Sequence, residues 1–203
     1  MDTYQIIFWL YISFATLTFM PTLKNLLGKV PLNEGGTSFE KNPHFSEKNK
    51  DRLIQHYSRL QGTLGFWKKR ASVYTSFHYY CVIWTILSSW AVPILSAMTP
   101  QANDNLHFYK WLIVLVSGHV ALSLSFHKGL KVADGMKAFR HGESQFYDLY
   151  RRLLDRPQTL GDSEENQIDK YFSEIERIRR LVRNAETESL PSIEDIQSLN
   201  EKS

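Results

Sequence analysis

The sequence predicts an all-α membrane protein: an antiparallel transmembrane helical hairpin extended by long cytoplasmic helical arms, with an extra N-terminal transmembrane helix. Three observations predict it. Residues 77–98 run for 22 positions without Asp, Glu, Lys or Arg, residues 108–126 carry only Lys110, and residues 4–20 are 17 uncharged positions. A bilayer core of roughly 30 Å takes about 20 apolar helical residues. The polar stretch 99–107 between the first two is too short to hold a domain, so they must return as a hairpin. A helical hairpin buried in a soluble protein is the alternative, and two lengths near 20 with almost no charge speak against it.

The N-terminal element, residues 1–27, has Asp2 and no Lys or Arg ahead of its apolar run, and no small-residue cleavage site follows, so a cleaved signal peptide fits poorly. A membrane helix fits better. At 17 residues it is at the short limit for a span, and an interfacial helix stays open. Residues 28–46 contain Pro31, Gly35, Gly36 and Pro43 with little apolar periodicity and read as a flexible linker.

Residues 47–156 form the hairpin and its arms. Leu53, Tyr57, Leu60, Leu64, Trp67, Ala71 and Tyr74 step by four and three, one apolar stripe on a helix that no proline interrupts before Pro93. Gly62 and Gly65 either weaken this helix or admit a neighbouring backbone. Beyond the second span, Val132, Met136, Phe139, Glu143, Phe146, Tyr150 and Leu153 keep the same spacing, as though that span continued unbroken. The two stripes suit an antiparallel pair, with Gly129, Gly135 and Gly142 as candidate close contacts. Pro157 ends the second arm near Asp155. Residues 157–189 give a last helix, opened by a capping-box pattern at Asp162 to Glu165 and lying across the arm pair, with Ile168, Phe172, Ile175, Leu181 and Val182 as its apolar side. Residues 190–203 are short and polar and read as a disordered tail.

Basic residues set the orientation. Lys68, Lys69 and Arg70 precede the first hairpin helix, Lys128 and Lys131 follow the second, and the turn between has neither Lys nor Arg. The positive-inside rule then puts the C-terminus in the cytoplasm and the N-terminus in the periplasm of a multi-pass inner-membrane protein. A net charge of +3 would fit nucleic-acid binding, but membrane flanks account for several of the cations, and direct DNA binding is not expected.

Catalytic chemistry finds no constellation. The seven histidines show no metal-ligand spacing, Cys81 is alone and at membrane depth, and Glu164 and Glu165 are explained by a helix start. No enzyme activity, metal or cofactor is implied. Small and hydroxylated residues do recur along the spans: Ser117, Ala121 and Ser125, and Cys81, Thr85 and Ser89. Such stripes pack helices within one protomer, or, in an assembly of hairpins, line a water path. Ser88, Ser89, Ser117, His119, Ala121 and Ser125 are the candidate pore-lining or packing residues. His119 is either functional, as ionisable residues inside a span tend to be, or a neutral imidazole bonded to Ser89 or a backbone carbonyl. Arg177, Arg179, Arg180 and Arg183 make a basic surface for solvent, anionic headgroups or a nucleotide phosphate.

The arm RLIQHYSRLQGTLGFWKKRASVY, the hairpin, and KVADGMKAFRHGESQFYDLYRRLLD after it resemble the SLATT family, two-helix transmembrane effector domains associated with SMODS nucleotidyltransferases and SLOG proteins. The resemblance covers roughly residues 46–188 and matches a pattern of Asp, His and spaced Tyr and Leu at Asp134, His141, Tyr150 and Leu153. The N-terminal span is an addition to that pattern. The resemblance implies a bacterial anti-phage, abortive-infection role: a homo-oligomer that perforates or depolarises the inner membrane when a sensor protein or nucleotide second messenger signals infection. From the residues alone, a passive anchor that recruits a soluble partner through its arms stands beside that reading.

Overall fold

The computed structural model describes residues 3–32, 39–98 and 106–189. Among them are five α-helices and no strands: α1 (Thr3–Leu27), α2 (Glu47–Ala97), α3 (Leu106–Gly129), α4 (Val132–Asp155) and α5 (Glu164–Ser189). Three of them, α1, α2 and α3, are long and apolar enough to cross a membrane. The fold is that of an all-α membrane protein. The tail at 190–203 and most of the expected polar turn at 99–107 lie outside the described residues.

Two compact units divide the chain. The apolar unit contains residues 1–27 and 73–133, and the polar unit contains 28–72 and 134–190. The 51-residue α2 contributes to both.

In the apolar unit, partners on α2 and α3 run in opposite directions: His78 meets His127, Cys81 meets Ser123, and Tyr80 meets His119. The hairpin is therefore antiparallel. Helix α1 is antiparallel to α2 as well, with Asn25 bonding Ser76, Phe19 against Tyr80, and Tyr11 against Trp84. The N-terminal ends of α1 and α3 and the C-terminal end of α2 thus share one end of the unit. Helix α1 runs through Pro21, which costs a backbone hydrogen bond but leaves 25 helical residues, about 37 Å at 1.5 Å each. That removes the shortness of the 17-residue apolar run. Only 6%, 22% and 17% of the most apolar stretches of α1, α2 and α3 are buried in the protein. Apolar groups on the remainder require lipid or other protein around them.

In the polar unit, α2 and α4 pair antiparallel, Tyr57 against Tyr150 and Phe66 against Phe139. Helix α5 completes a three-helix bundle, running parallel to α2 with Arg52 beside Asp169 and His56 beside Phe172. The stripe on α4 is a strict heptad: Val132, Gly135, Phe139, Gly142, Phe146, Leu149 and Leu153 are buried. That on α5 is Ile168, Tyr171, Ile175, Ile178 and Val182. Leu181, expected inside, is exposed, because the three–four step places Ile178 and Val182 inward instead.

The structure departs from the sequence reading in four further places. Helices α3 and α4 do not run on. The chain turns at Leu130 and Lys131, with Lys131 at φ 42°, a left-handed backbone that a lysine rarely adopts. Gly62, Gly65 and Gly129 have open space where a side chain would be, so they are not close contacts, whereas Gly142 is: a Cβ there would collide with Val182 and touch Trp67. The cap of α5 is Ser163, whose hydroxyl accepts the Asn166 N–H at 3.3 Å, one residue on from Asp162.

The fourth difference concerns the expected linker, whose residues 39–46 are anchored. Phe39 is buried among Tyr57, Tyr150 and Tyr171, its ring 4.9 Å from that of Tyr150. Asn42 donates to the Leu154 carbonyl at 3.1 Å, and His44 Nε2 lies 2.8 Å from Gln167 Oε1. Burial of two phenylalanines, Phe39 and Phe45, outweighs the turn-forming Pro43 between them.

Candidate functional site

A polar site joins all three helices of the apolar unit. His119, on α3, sits between two tyrosines from the other two helices: Tyr11 Oη is 2.6 Å from Nδ1, and Tyr80 Oη is 2.6 Å from Nε2. The ring of Trp84 stands edge-on at 4.9 Å. A neutral imidazole has one N–H and one bare nitrogen, so one tyrosine donates to it and the other accepts from it. Both ring nitrogens are satisfied without a charge, which is what a histidine at membrane depth requires. Beside it the Trp84 Nε1–H donates to Thr18 Oγ1 at 3.0 Å, and Thr18 returns its own proton to carbonyls of α1. Tyr80, Cys81 and Trp84 form the buried heart of this cluster, with Tyr11, Ala15, Phe19, Phe77 and Val120 packed on it.

Neither alternative partner expected for His119 is used. Ser89 is exposed and donates to the Ile86 carbonyl at 2.7 Å. Sequence reasoning missed the tyrosines because their join depends on three helices. The available signal was a tyrosine in the apolar run of each of the other two helices, Tyr11 near the middle of residues 4–20 and Tyr80 near the start of residues 77–98.

The other candidate residues of the spans separate into two groups. Ser88 is buried. Ser117, Ala121 and Ser125, together with Gly118 and Leu122, form an exposed face of α3, opposite the side that carries Leu112, Val116, His119 and Ser123. Ser125 satisfies itself on the Ala121 carbonyl at 2.8 Å. This stripe does not pack the protomer; it faces away from it. The stripe on α2 is mixed: Cys81 is buried and donates to the Ser123 carbonyl at 3.6 Å, while Thr85 bonds the Cys81 carbonyl at 2.7 Å.

In the polar unit the four arginines do not converge. Arg177 is paired with Glu174 at 2.8 Å, and that hydrogen bond, with Lys170 adding to it, holds the Glu174 carboxyl below its usual range. Arg179 is on the other flank, near His56, where burial first and then Arg59 and Arg179 push the imidazole down, toward its neutral form. Arg180 and Arg183 are exposed. Of the residues that carry the family resemblance, Leu153 is fully buried and Tyr150 packs on Phe39 and Tyr57, whereas Asp134 and His141 are exposed.

The bundle is closed at one end by Glu164. Its carboxylate accepts the Ser46 backbone N–H at 2.6 Å and the Ser46 hydroxyl at 3.0 Å. Desolvation works against the charge, but bonds from Asn49 and Ser46, with His44 nearby, outweigh it and hold the carboxyl below its usual range.

No family model, curated protein or solved structure matches this chain.

Proposed function

We propose that this protein is a non-enzymatic membrane effector of the SLATT type, which assembles side by side in the bacterial inner membrane and depolarises it on a signal received by the polar bundle. The observation that carries this reading is the exposed small-residue face of α3, Ser117, Gly118, Ala121 and Ser125, on the side turned away from α1 and α2. Small residues let helix backbones approach closely, and in lipid that approach is what drives association. The basic flanks of the hairpin support a cytoplasmic bundle and C-terminus, with the N-terminus in the periplasm. The anti-phage role, and its trigger by a sensor protein or nucleotide, rest on the resemblance of residues 46–188.

A passive membrane anchor is the second reading. It is favoured by the closure of His119 between two tyrosines and of Thr85, Ser89 and Ser125 on their own helices, which leaves none of these groups needing water. The two readings separate in cells carrying a potential-sensitive dye. An effector collapses the membrane potential within minutes of induction, alone or with the trigger, and Ala121→Leu restores it. An anchor at equal membrane abundance leaves the potential untouched under both conditions.

A further inference from the structure

In the polar unit, an open groove of about 410 Å³ runs between α4 and α5. Leu160, half-buried, and the buried Leu149 and Ile178 give it an apolar floor. Cations stand on both walls, Arg152 on α4 and Lys170 and Arg177 on α5. The two carboxylates of the lining, Asp148 and Glu174, are already engaged. Asp148 holds Arg151 at 3.0 Å, and Glu174 holds Arg177 at 2.8 Å and Lys170 at 3.4 Å. The Glu174 bond takes Arg177 by Nε, so it steadies the guanidinium and does not use the two terminal nitrogens. The Arg152 side chain has neither a hydrogen bond nor an ion pair among the described residues. With Asp148 balanced by Arg151, three cations less one carboxylate leave two positive charges across the groove. Like charges on opposite walls repel, and an anion between them turns that repulsion into attraction.

We propose that this groove binds a soluble phosphate monoester, with Arg152 and Arg177 gripping the phosphate oxygens from opposite walls, Lys170 adding a point charge, and the organic remainder lying on the apolar floor. Guanidinium suits the role, because its planar fork matches a pair of phosphate oxygens. Charge selects the monoester. With a second pKa near about 6 it is largely a dianion at neutral pH and balances both surplus charges, whereas a diester or a carboxylate brings only one. The floor selects a ligand with a carbon skeleton over bare phosphate. Distance selects a soluble ligand over a lipid headgroup. Tyr150, one turn or less from Arg152, packs on Tyr57, and Tyr57 lies about 30 Å along α2 from the start of its apolar stretch at Phe77. Headgroups extend only about 5–8 Å beyond the hydrocarbon core. The site gives the polar bundle a place to receive a signal, and only that role rests on the function proposed above.

Binding is read directly, without a membrane potential, so failure of this site and failure of the depolarising role are separate results. The full chain in nanodiscs of synthetic phosphatidylcholine is titrated calorimetrically with phenyl phosphate near neutral pH at constant ionic strength. Saturable heat is expected for phenyl phosphate and none for phenol, with benzenesulfonate, a monoanion, at least about tenfold weaker. Arg152→Gln and Arg177→Gln each weaken binding about ten- to a hundredfold, the loss of charge-assisted hydrogen bonds, while Arg180→Gln, outside the groove, leaves it unchanged. Arg152→Gln removes no bond within the protein, so its thermal midpoint without ligand stays at that of wild type and separates lost binding from lost folding. Absence of saturable heat overturns the proposal, as does heat that benzenesulfonate reproduces in full or that Arg152→Gln leaves unchanged. Nanodiscs doped with phosphatidic acid, a phosphate monoester held in the bilayer, are expected to bind phenyl phosphate as before. Loss of the heat in them assigns the groove to lipid and overturns the soluble ligand.

Discussion

Tyr11 Oη lies 2.6 Å from Nδ1 of His119, and this one contact fastens the N-terminal span to a hairpin helix 108 residues away. With Tyr80 on the opposite nitrogen, three spans share one imidazole. His119→Leu removes the imidazole and strands two hydroxyls, so it destabilises the apolar unit by about 1–3 kcal/mol. Tyr11→Phe or Tyr80→Phe removes one bond and costs about 0.6–1.7 kcal/mol. Unfolding of the full chain in detergent, followed by circular dichroism, gives the order: His119→Leu below either phenylalanine variant. A His119→Leu protein as stable as wild type contradicts the arrangement.

Gly142 predicts a steric asymmetry among the glycines. Gly142→Ala forces a methyl into Val182 and destabilises the bundle by about 1–3 kcal/mol, a loss that Val182→Ala in the same chain partly restores. Gly62→Ala and Gly65→Ala meet nothing, and stabilise α2 by about 0.5–1 kcal/mol through helix propensity alone. Thermal midpoints of the four variants check both signs together.

The bond from Glu164 to Ser46 joins the first turn of α5 to the start of α2 and predicts a pH dependence. Its native pKa is depressed, so the unfolded chain takes up the proton first as the pH falls. The stabilisation is full above the unfolded value of about 4.3 and is lost as pH drops through the lower native value. Glu164→Gln lowers the thermal midpoint at pH 7, and the gap to wild type closes below about pH 4. A gap that persists there contradicts the assignment.

His56 adds a second, higher window. Burial, then Arg59 and Arg179, depress its native pKa, so protonation favours the unfolded chain. Stability therefore falls as pH drops below the unfolded value of about 6.5. His56→Phe, which keeps the ring packed on Phe172, flattens the melting profile between about pH 6.5 and 5. Equal slopes for the two proteins in that interval contradict it.

Particular elements show how far the sequence could be read. The spans and arms were legible because length without charge and a four–three spacing each depend on one segment alone. Helix α1 lengthened past Pro21 because a proline in an apolar helix kinks it more readily than it ends it. The break at Lys131 was hidden, since neither glycine nor proline occupies the turn itself. Residues 39–46 read as a linker because Phe39 and Phe45 lack periodicity; their burial depends on the end of a bundle built from three distant helices. The histidine site was half legible: the imidazole inside a span stood out, while Tyr11 and Tyr80 became its partners only once α1 and α2 were antiparallel neighbours.

Helix α3 has two faces: one holds His119 inside the protomer, and the other turns Ser117, Ala121 and Ser125 outward, where the proposed assembly would form. Cysteine cross-linking in native membranes, in a Cys81→Ala background, tests this directly. Ala121→Cys should form covalent dimers rapidly on mild oxidation, while Ser123→Cys, on the inner face, should not. Monomeric Ala121→Cys under conditions that cross-link another exposed position, such as Val114→Cys, would contradict the assembly and favour a passive anchor.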